Sequence, residues 1–132
     1  GLKGIKVLLA EDNDLNAELA AILLEDSEMI VTRAADGQEV VDLFANHPAG
    51  TYDIILMDIM MPKMDGLQAA KAIRAMQAER PDAEEIPIIA LSANAFAEDV
   101  QTSLDAGMNG HVSKPLNVAE VAKVIARNLN KS

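Results

Sequence analysis

The segment Tyr52-Asp53-Ile54-Ile55-Leu56-Met57-Asp58-Ile59-Met60-Met61-Pro62-Lys63-Met64-Asp65-Gly66 passes from strand to acid to turn within a few residues. Ile54 to Met57 is an apolar run of strand length, and Asp58 stands where it ends. Pro62 and Asp65-Gly66 mark the stiff loop that follows. A carboxylate at the end of a buried strand is costly without a partner. Ligands of open α/β sheets gather beyond the carboxyl ends of the strands. Asp58 is therefore a candidate for chemistry; the plainer reading is an acid that only forms a turn.

Outward from this segment, short apolar runs alternate with helical patterns. Before it come a strand at Ile5 to Ala10 and a helix marked by Leu15, Leu19, Ile22 and Leu23. Glu11-Asp12-Asn13-Asp14 offers caps for that helix. A second strand at Met29 to Ala34, an Asp36-Gly37 turn and a helix carrying Val40, Val41 and Phe44 complete this half. After Asp58, a helix is expected on Leu67, Ala70, Ile73 and Met76, then a surface loop from Gln77 to Glu85. A fourth strand at Ile86 to Leu91 leads to a helix on Phe96, Val100 and Leu104 that Gly107 closes. A brief fifth strand, Gly110 to Ser113, precedes a last helix on Val118, Val121, Ala122, Ile125 and Leu129. Strict strand–helix alternation predicts an α/β fold with helices on both faces of a parallel sheet. The flavodoxin-like order 2-1-3-4-5 suits five strands. One domain over residues 1–132 is expected, with 1–4 as the stub of a linker.

The totals narrow the function classes. Half of the residues are apolar and 2% are aromatic, so Ala, Ile, Leu, Val and Met fill the core. No apolar run is long enough to span a bilayer, which points to a cytoplasmic domain without direct membrane contact. The chain has no cysteine, which removes disulfides and cysteine-based zinc sites. A net charge of −10 argues against nucleic acid as a partner. It suits a cation site or a basic partner face.

The polar residues that follow the strands are Glu11 and Asp12 after the first, Asp58 after the third, Ser92 after the fourth and Lys114 after the fifth. The 2-1-3-4-5 order brings them all to one edge of the sheet. The second strand ends in Arg33-Ala34-Ala35, which offers nothing obvious. Carboxylates this close repel one another and are forced to hold protons unless a cation joins them. Magnesium fits, since it takes oxygen ligands and keeps several waters. Asp12 and Asp58 suit direct or near-direct ligation, Glu11 suits holding a metal-bound water, and the Met60 backbone carbonyl is a further candidate ligand. Ser92 and Lys114 then stand as donors opposite the metal, so the edge forms a cradle for a phosphoryl group. The Asp58 carboxylate is the acceptor, a nucleophile type that forms aspartyl phosphate.

Glu11-Asp12, the Asp58 loop with Met61-Pro62, Met64 and Asp65-Gly66, Ser92-Ala93 and Lys114-Pro115 together resemble the receiver domain of bacterial two-component response regulators over essentially the whole chain. The resemblance implies that Asp58 takes phosphate from a phosphohistidine with magnesium required, and that Lys114-Pro115 is a cis peptide bond. Glu11-Asp12-Asn13 with Asn16, the run Ala90 to Ala95 and the long loop before the fourth strand look most like receivers of hybrid sensor histidine kinases. Such a receiver is cytoplasmic, on occasion as part of a membrane-bound sensor. It takes phosphate from the kinase phosphohistidine domain and passes it to a histidine phosphotransfer domain docked near Leu15 and Asn16. The isolated domain is expected to be a monomer. A free-standing single-domain response regulator remains the alternative.

The family usually has Tyr or Phe three residues before the lysine, and that residue swings inward on activation. Here it is His111, so a switch that couples Ser92 to residue 111 is expected to be differently tuned; the plainer reading is an exposed strand-edge histidine. Two other classes fit less well. A flavin domain needs a neutral, Gly-rich phosphate loop where this chain has Glu11-Asp12-Asn13-Asp14. A haloacid-dehalogenase-like phosphatase needs a second Asp where Met60 stands. That enzyme turns over phosphate esters, whereas a receiver stops at one self-phosphorylation followed by slow hydrolysis.

Overall fold

The computed structural model describes residues 2–92 and 97–129. In chain order it contains β1 (Lys6–Ala10), α1 (Asp14–Glu25), β2 (Ile30–Ala34), α2 (Gly37–Ala45), β3 (Ile54–Asp58) and α3 (Gly66–Arg74). A short 3-10 turn (Ala75–Ala78), α4 (Asp82–Glu85), β4 (Ile88–Ser92), α5 (Ala97–Asp105), β5 (Gly110–Ser113) and α6 (Val118–Leu129) follow. The strands form one parallel sheet in the order β2-β1-β3-β4-β5, as the alternation predicted. Gly1, part of the expected linker stub, lies outside the described residues. So do Ala93 to Phe96, which include Phe96 of the expected helix and Ala93 of the motif with Ser92.

Both faces of the sheet are covered, which is why the central strands read as unbroken apolar runs. Ile55 and Met57 of β3 face α2 and α3 in one cluster, with Val40, Phe44, Ala70 and Ile73. Ile54 and Leu56 face the other cluster, with Leu24 of α1 and Val121 and Ile125 of α6. All four β3 side chains are fully buried, each worth about 1.5–3 kcal/mol of hydrophobic transfer. Asp58 is therefore presented from a strand buried along its whole length.

Caps explain where the helices start. Asn13 accepts the Asn16 N–H, Asp36 accepts the Glu39 N–H, and Asp65 forms a reciprocal capping box with Gln68. Each cap therefore starts a helix just beyond the carboxyl end of a strand. Met29 and Ile86 precede the ladders of β2 and β4. Pro87 lacks an N–H and stays outside β4, while its carbonyl accepts the Ile55 N–H at 2.9 Å.

Two expectations need correcting. Residues 77–85 are not a plain surface loop. They hold the end of the 3-10 turn and α4, and Ala83 is fully buried. Arginines set this segment. Arg74 donates to the carbonyls of Gly107, Ala83 and Ile86 and to Asn109 Oδ1. Arg80 bonds Asp82 and the Phe44 carbonyl and lies 4.2 Å over the Phe44 ring. The α1 stripe, in turn, does not face the core. Ala17 and Leu24 are the buried α1 residues, while Leu15, Leu19 and Ile22 are 63%, 58% and 57% exposed.

The β3–α3 loop is held from both sides. Gly66 N–H donates to the Ile59 carbonyl at 2.8 Å, and Met64 N–H to the Pro62 carbonyl at 2.7 Å. A Cβ on Gly66 would sit 2.3 Å from the Asp58 carbonyl oxygen, so α3 approaches the end of β3 as closely as only glycine permits. Gly66→Ala is expected to cost about 2 kcal/mol, read as a lower urea midpoint. An unchanged midpoint would mean that the loop yields without cost.

Candidate functional site

Each expected polar residue stands at the carboxyl edge of the sheet because its strand ends there. Asp58 is the last residue of β3, opposite Leu91 of β4 in the parallel register. Glu11 continues β1 by one ladder bond, its N–H donating to the Ala34 carbonyl at 3.0 Å. Ser92 ends β4 opposite Ser113 of β5, and its carbonyl accepts the Lys114 N–H at 2.9 Å. The Lys114–Pro115 peptide bond is cis.

Asp58 is 5% exposed and Glu11 4%. Asp12 lies at the exposed mouth of the cleft. Carboxylate oxygens of Glu11, Asp12 and Asp58 all lie within 4.8 Å of one another. The cation in contact with the two buried acids is Lys114. Its Nζ donates to Asp58 Oδ2 at 2.5 Å and to Glu11 Oε1 at 3.1 Å. The other Asp58 oxygen accepts the Met60 N–H at 3.1 Å. The Met60 side chain is 80% exposed, away from this contact.

The electrostatics follow from burial and pairing. Burial pushes the Glu11 carboxyl above the usual carboxylate value, while the Asn13 N–H and Lys114 pull the other way. Burial also works against the Lys114 ammonium, but its hydrogen bonds to Asp58 and Glu11 outweigh that and raise its pKa. An all-oxygen donor set with excess negative charge is what a hard divalent cation requires. The carboxylates of Glu11, Asp12 and Asp58 fit such an ion, with Lys114 positioned to meet any further negative charge that arrives at Asp58.

His111 sits on β5 opposite Ala90 of β4, one of the smallest buried residues of the sheet. The ring is partly buried, and its Nε2 has no hydrogen-bond partner among the described residues. The loop that would respond to a movement of Ser92 includes residues outside the described set.

Sequence reasoning missed Arg33. Its side chain crosses the edge of β1 and donates to the carbonyls of Glu11 and Asp12 and to the Asp14 carboxylate. The second strand therefore does contribute to this edge. An arginine beside an acidic cluster in an otherwise acidic chain was the available signal. Beside the carboxylates, a cavity of about 620 Å³ opens between α1 and the β5–α6 connection, walled by Leu9, Leu19, Ile22, Leu91 and Leu116, with Glu11 and Lys114.

Residues 7–126 match the response regulator receiver domain family. The chain is 37% identical over 122 residues to the sensor protein GacS of Pseudomonas syringae pv. syringae, covering 92% of this chain and 13% of that protein. It thus spans a small part of the length of this curated relative. The receiver domain of the sensor histidine kinase PA1611 of Pseudomonas aeruginosa PAO1, crystallised with magnesium coordinated in its active site cleft, superposes with a TM-score of 0.83. That match has 36% identity and covers 97% of this chain and 99% of the other. The receiver domain of the Saccharomyces cerevisiae response regulator Ssk1, solved with the histidine phosphotransfer protein Ypd1, gives a TM-score of 0.83 at 28% identity, covering 96% of this chain and 89% of that one.

Because the folded-state pKa of Lys114 is raised, its stabilisation is complete below its unfolded pKa and is lost only as pH rises through the folded value. Near neutral pH, Lys114→Met leaves Glu11 and Asp58 buried without a cation. In metal-free buffer this is expected to cost about 3 kcal/mol by urea denaturation. The cost should shrink in acid, where the carboxyls take up protons, and in the double variant with Asp58→Asn. A cost independent of pH would assign the loss to packing instead.

Proposed function

The chain belongs to the response regulator receiver domain family, and on that premise we propose that it is the phosphoacceptor module of a two-component phosphorelay, with Asp58 as the acceptor. One observation carries the reading. Asp58 stands at the end of the most buried strand, with an ammonium on one oxygen and two further carboxylates within 4.8 Å. A structural acid needs the ammonium but not the crowd of carboxylates.

The chemistry asked of these residues is modest, because phosphoryl transfer depends mainly on positioning and charge neutralisation. An Asp58 oxygen attacks the phosphorus of a phosphohistidine. A P–O bond forms as the P–N bond breaks, and the nitrogen electron pair returns to the imidazole. The Met60 N–H holds one Asp58 oxygen and so orients the carboxylate. Lys114, already seated on Asp58, moves its hydrogen bond to an oxygen of the incoming phosphoryl group. Ser92, at the end of β4, supplies a hydroxyl to the same group. Glu11, Asp12, Asp58 and the Met60 carbonyl would hold Mg²⁺, which when bound neutralises charge on the transferring group. With the phosphate in place, Ser92 and His111 form the two-state element that reports it.

The reading extends to the partner. Ssk1 was solved with a histidine phosphotransfer protein, and the GacS relative is a sensor protein. We infer that this receiver belongs to a hybrid histidine kinase and exchanges phosphate with a kinase phosphohistidine domain and a histidine phosphotransfer domain. Leu15, Leu19 and Ile22 form an exposed apolar stripe on α1 beside the cleft, bordered by Asp14, Glu18 and Asp26. A helical partner with an apolar centre and a basic rim suits it.

Two measurements test this. With magnesium and acetyl phosphate the chain should gain one phosphoryl mass, mapped to Asp58, and Asp58→Asn should abolish it; undiminished labelling of that variant would end the proposal. Leu15→Glu and Leu19→Glu should slow transfer with a phosphohistidine partner about tenfold or more and leave acetyl phosphate labelling near wild type. Equal slowing of both reactions would place docking elsewhere.

A further inference from the structure

We propose that Arg33 is a positioning residue for the metal-binding acids, acting as a clamp on the backbone that carries Glu11 and Asp12. The inference rests on the function proposed above. Successive side chains of a straight strand point to opposite faces. Glu11 and Asp12 are successive, yet both carboxylates reach one cleft, within 4.8 Å of each other and of Asp58. The strand direction must break between the last ladder bond of β1, Glu11 N–H to Ala34, and the α1 cap at Asn13.

Arg33 holds that break. In an extended strand successive carbonyls also point to opposite sides. Here the carbonyls of Glu11 and Asp12 converge on one guanidinium. Nε and Nη2 donate to the Glu11 carbonyl at 3.0 and 2.8 Å, and Nη2 to the Asp12 carbonyl at 3.2 Å. Nη1 bonds Asp14 Oδ1 at 2.8 Å, an outward contact, since the Asp14 side chain is 92% exposed. Arg33 itself is anchored by the β1–β2 ladder, where it pairs with Leu9. A planar fork can serve two carbonyls and a carboxylate at once, and a lysine ammonium has no such preset geometry.

The sign of the effect on metal affinity separates a clamp from a bystander. On Coulomb grounds alone, removing a positive charge near a cation site raises cation affinity. Removing a clamp lowers it, because the acids must then be ordered on binding. Mg²⁺ affinity of the chain is measured by isothermal titration calorimetry with MgCl₂. Arg33→Met is expected to lower it about tenfold, the scale of loss when a group that orients metal ligands is removed. Arg33→Lys keeps the charge and, if Arg33→Met folds poorly, carries the test; it should also bind more weakly than wild type. Asp14→Asn leaves the bonds to both carbonyls intact and should bind within about twofold of wild type. Amide exchange at Asn13, whose N–H bonds Glu11 Oε2 at 3.2 Å, should quicken in metal-free Arg33→Met. Unchanged or raised affinity in Arg33→Met, or wild-type affinity in Arg33→Lys, overturns the clamp and leaves the proposed function standing. A wild-type chain that takes up no Mg²⁺ overturns both.

Discussion

The ammonium of Lys114 lying between Asp58 and Glu11 is the contact on which the functional edge depends. Two carboxylates at 5% exposure or less are stable in this fold only with a cation on them. Lys114 comes from the loop after β5, Asp58 from β3 and Glu11 from β1. The ion pair therefore ties three strand ends together across the sheet. It is also compatible with chemistry. An ammonium held by hydrogen bonds to a carboxylate is already where it would have to be if that carboxylate acquired a phosphoryl group, as proposed.

The rest of the fold keeps that edge in register. Burial of β3 on both faces fixes the height of Asp58. Close backbone contacts at Gly66 and Gly37 bring α3 and α2 against the loop that follows it; a Cβ on Gly37 would meet the Met64 carbonyl oxygen at 1.8 Å. Farther away, Arg74 ties the end of α3 to the segments before β4 and β5. Its burial lowers its pKa, the expected cost of taking a cation out of water. The two faces of the sheet then differ in what they leave for a partner. The α2–α3 side carries a closed core, whereas α1 buries little more than Ala17 and Leu24 and keeps a leucine-rich stripe outside.

His111 brings a polar ring into the β4–β5 region. A Phe ring in this place would need only room. An imidazole brings a nitrogen, and its Nε2 lies buried without a partner among the described residues. The cost of such a nitrogen is of the order of a lost hydrogen bond, about 1–3 kcal/mol. An arrangement that offers it a partner would be favoured by that amount.

Several features of this protein were legible in the linear sequence. The apolar runs at Leu8, Ile55 and Ile89 mark buried parallel strands because their periodicity is local. Asn13, within Glu11-Asp12-Asn13-Asp14, announces a helix start because capping is a matter of a few neighbouring residues, whereas Asp36 and Asp65 read as turn residues and prove to be caps as well. Given strict alternation, few topologies are sensible, so the strand order and the meeting of Glu11, Asp12, Asp58, Ser92 and Lys114 at one edge followed as well. What tertiary structure decided was everything that depends on side chains reaching across the chain. Residues 77–85 looked like a polar loop because the contacts that fix them are distant in sequence: Arg80 lies over the Phe44 ring and bonds its carbonyl, and Arg74 donates to the carbonyls of Ala83 and Ile86. The α1 stripe of Leu15, Leu19 and Ile22 has the spacing of a core face, but the helix is set on the sheet through Ala17 and Leu24; periodicity identifies a helix without saying which apolar face another element covers. Arg33 seemed idle in the sequence because its partners are backbone carbonyls, which carry no residue identity to read. Only the folded chain brings those carbonyls to one guanidinium.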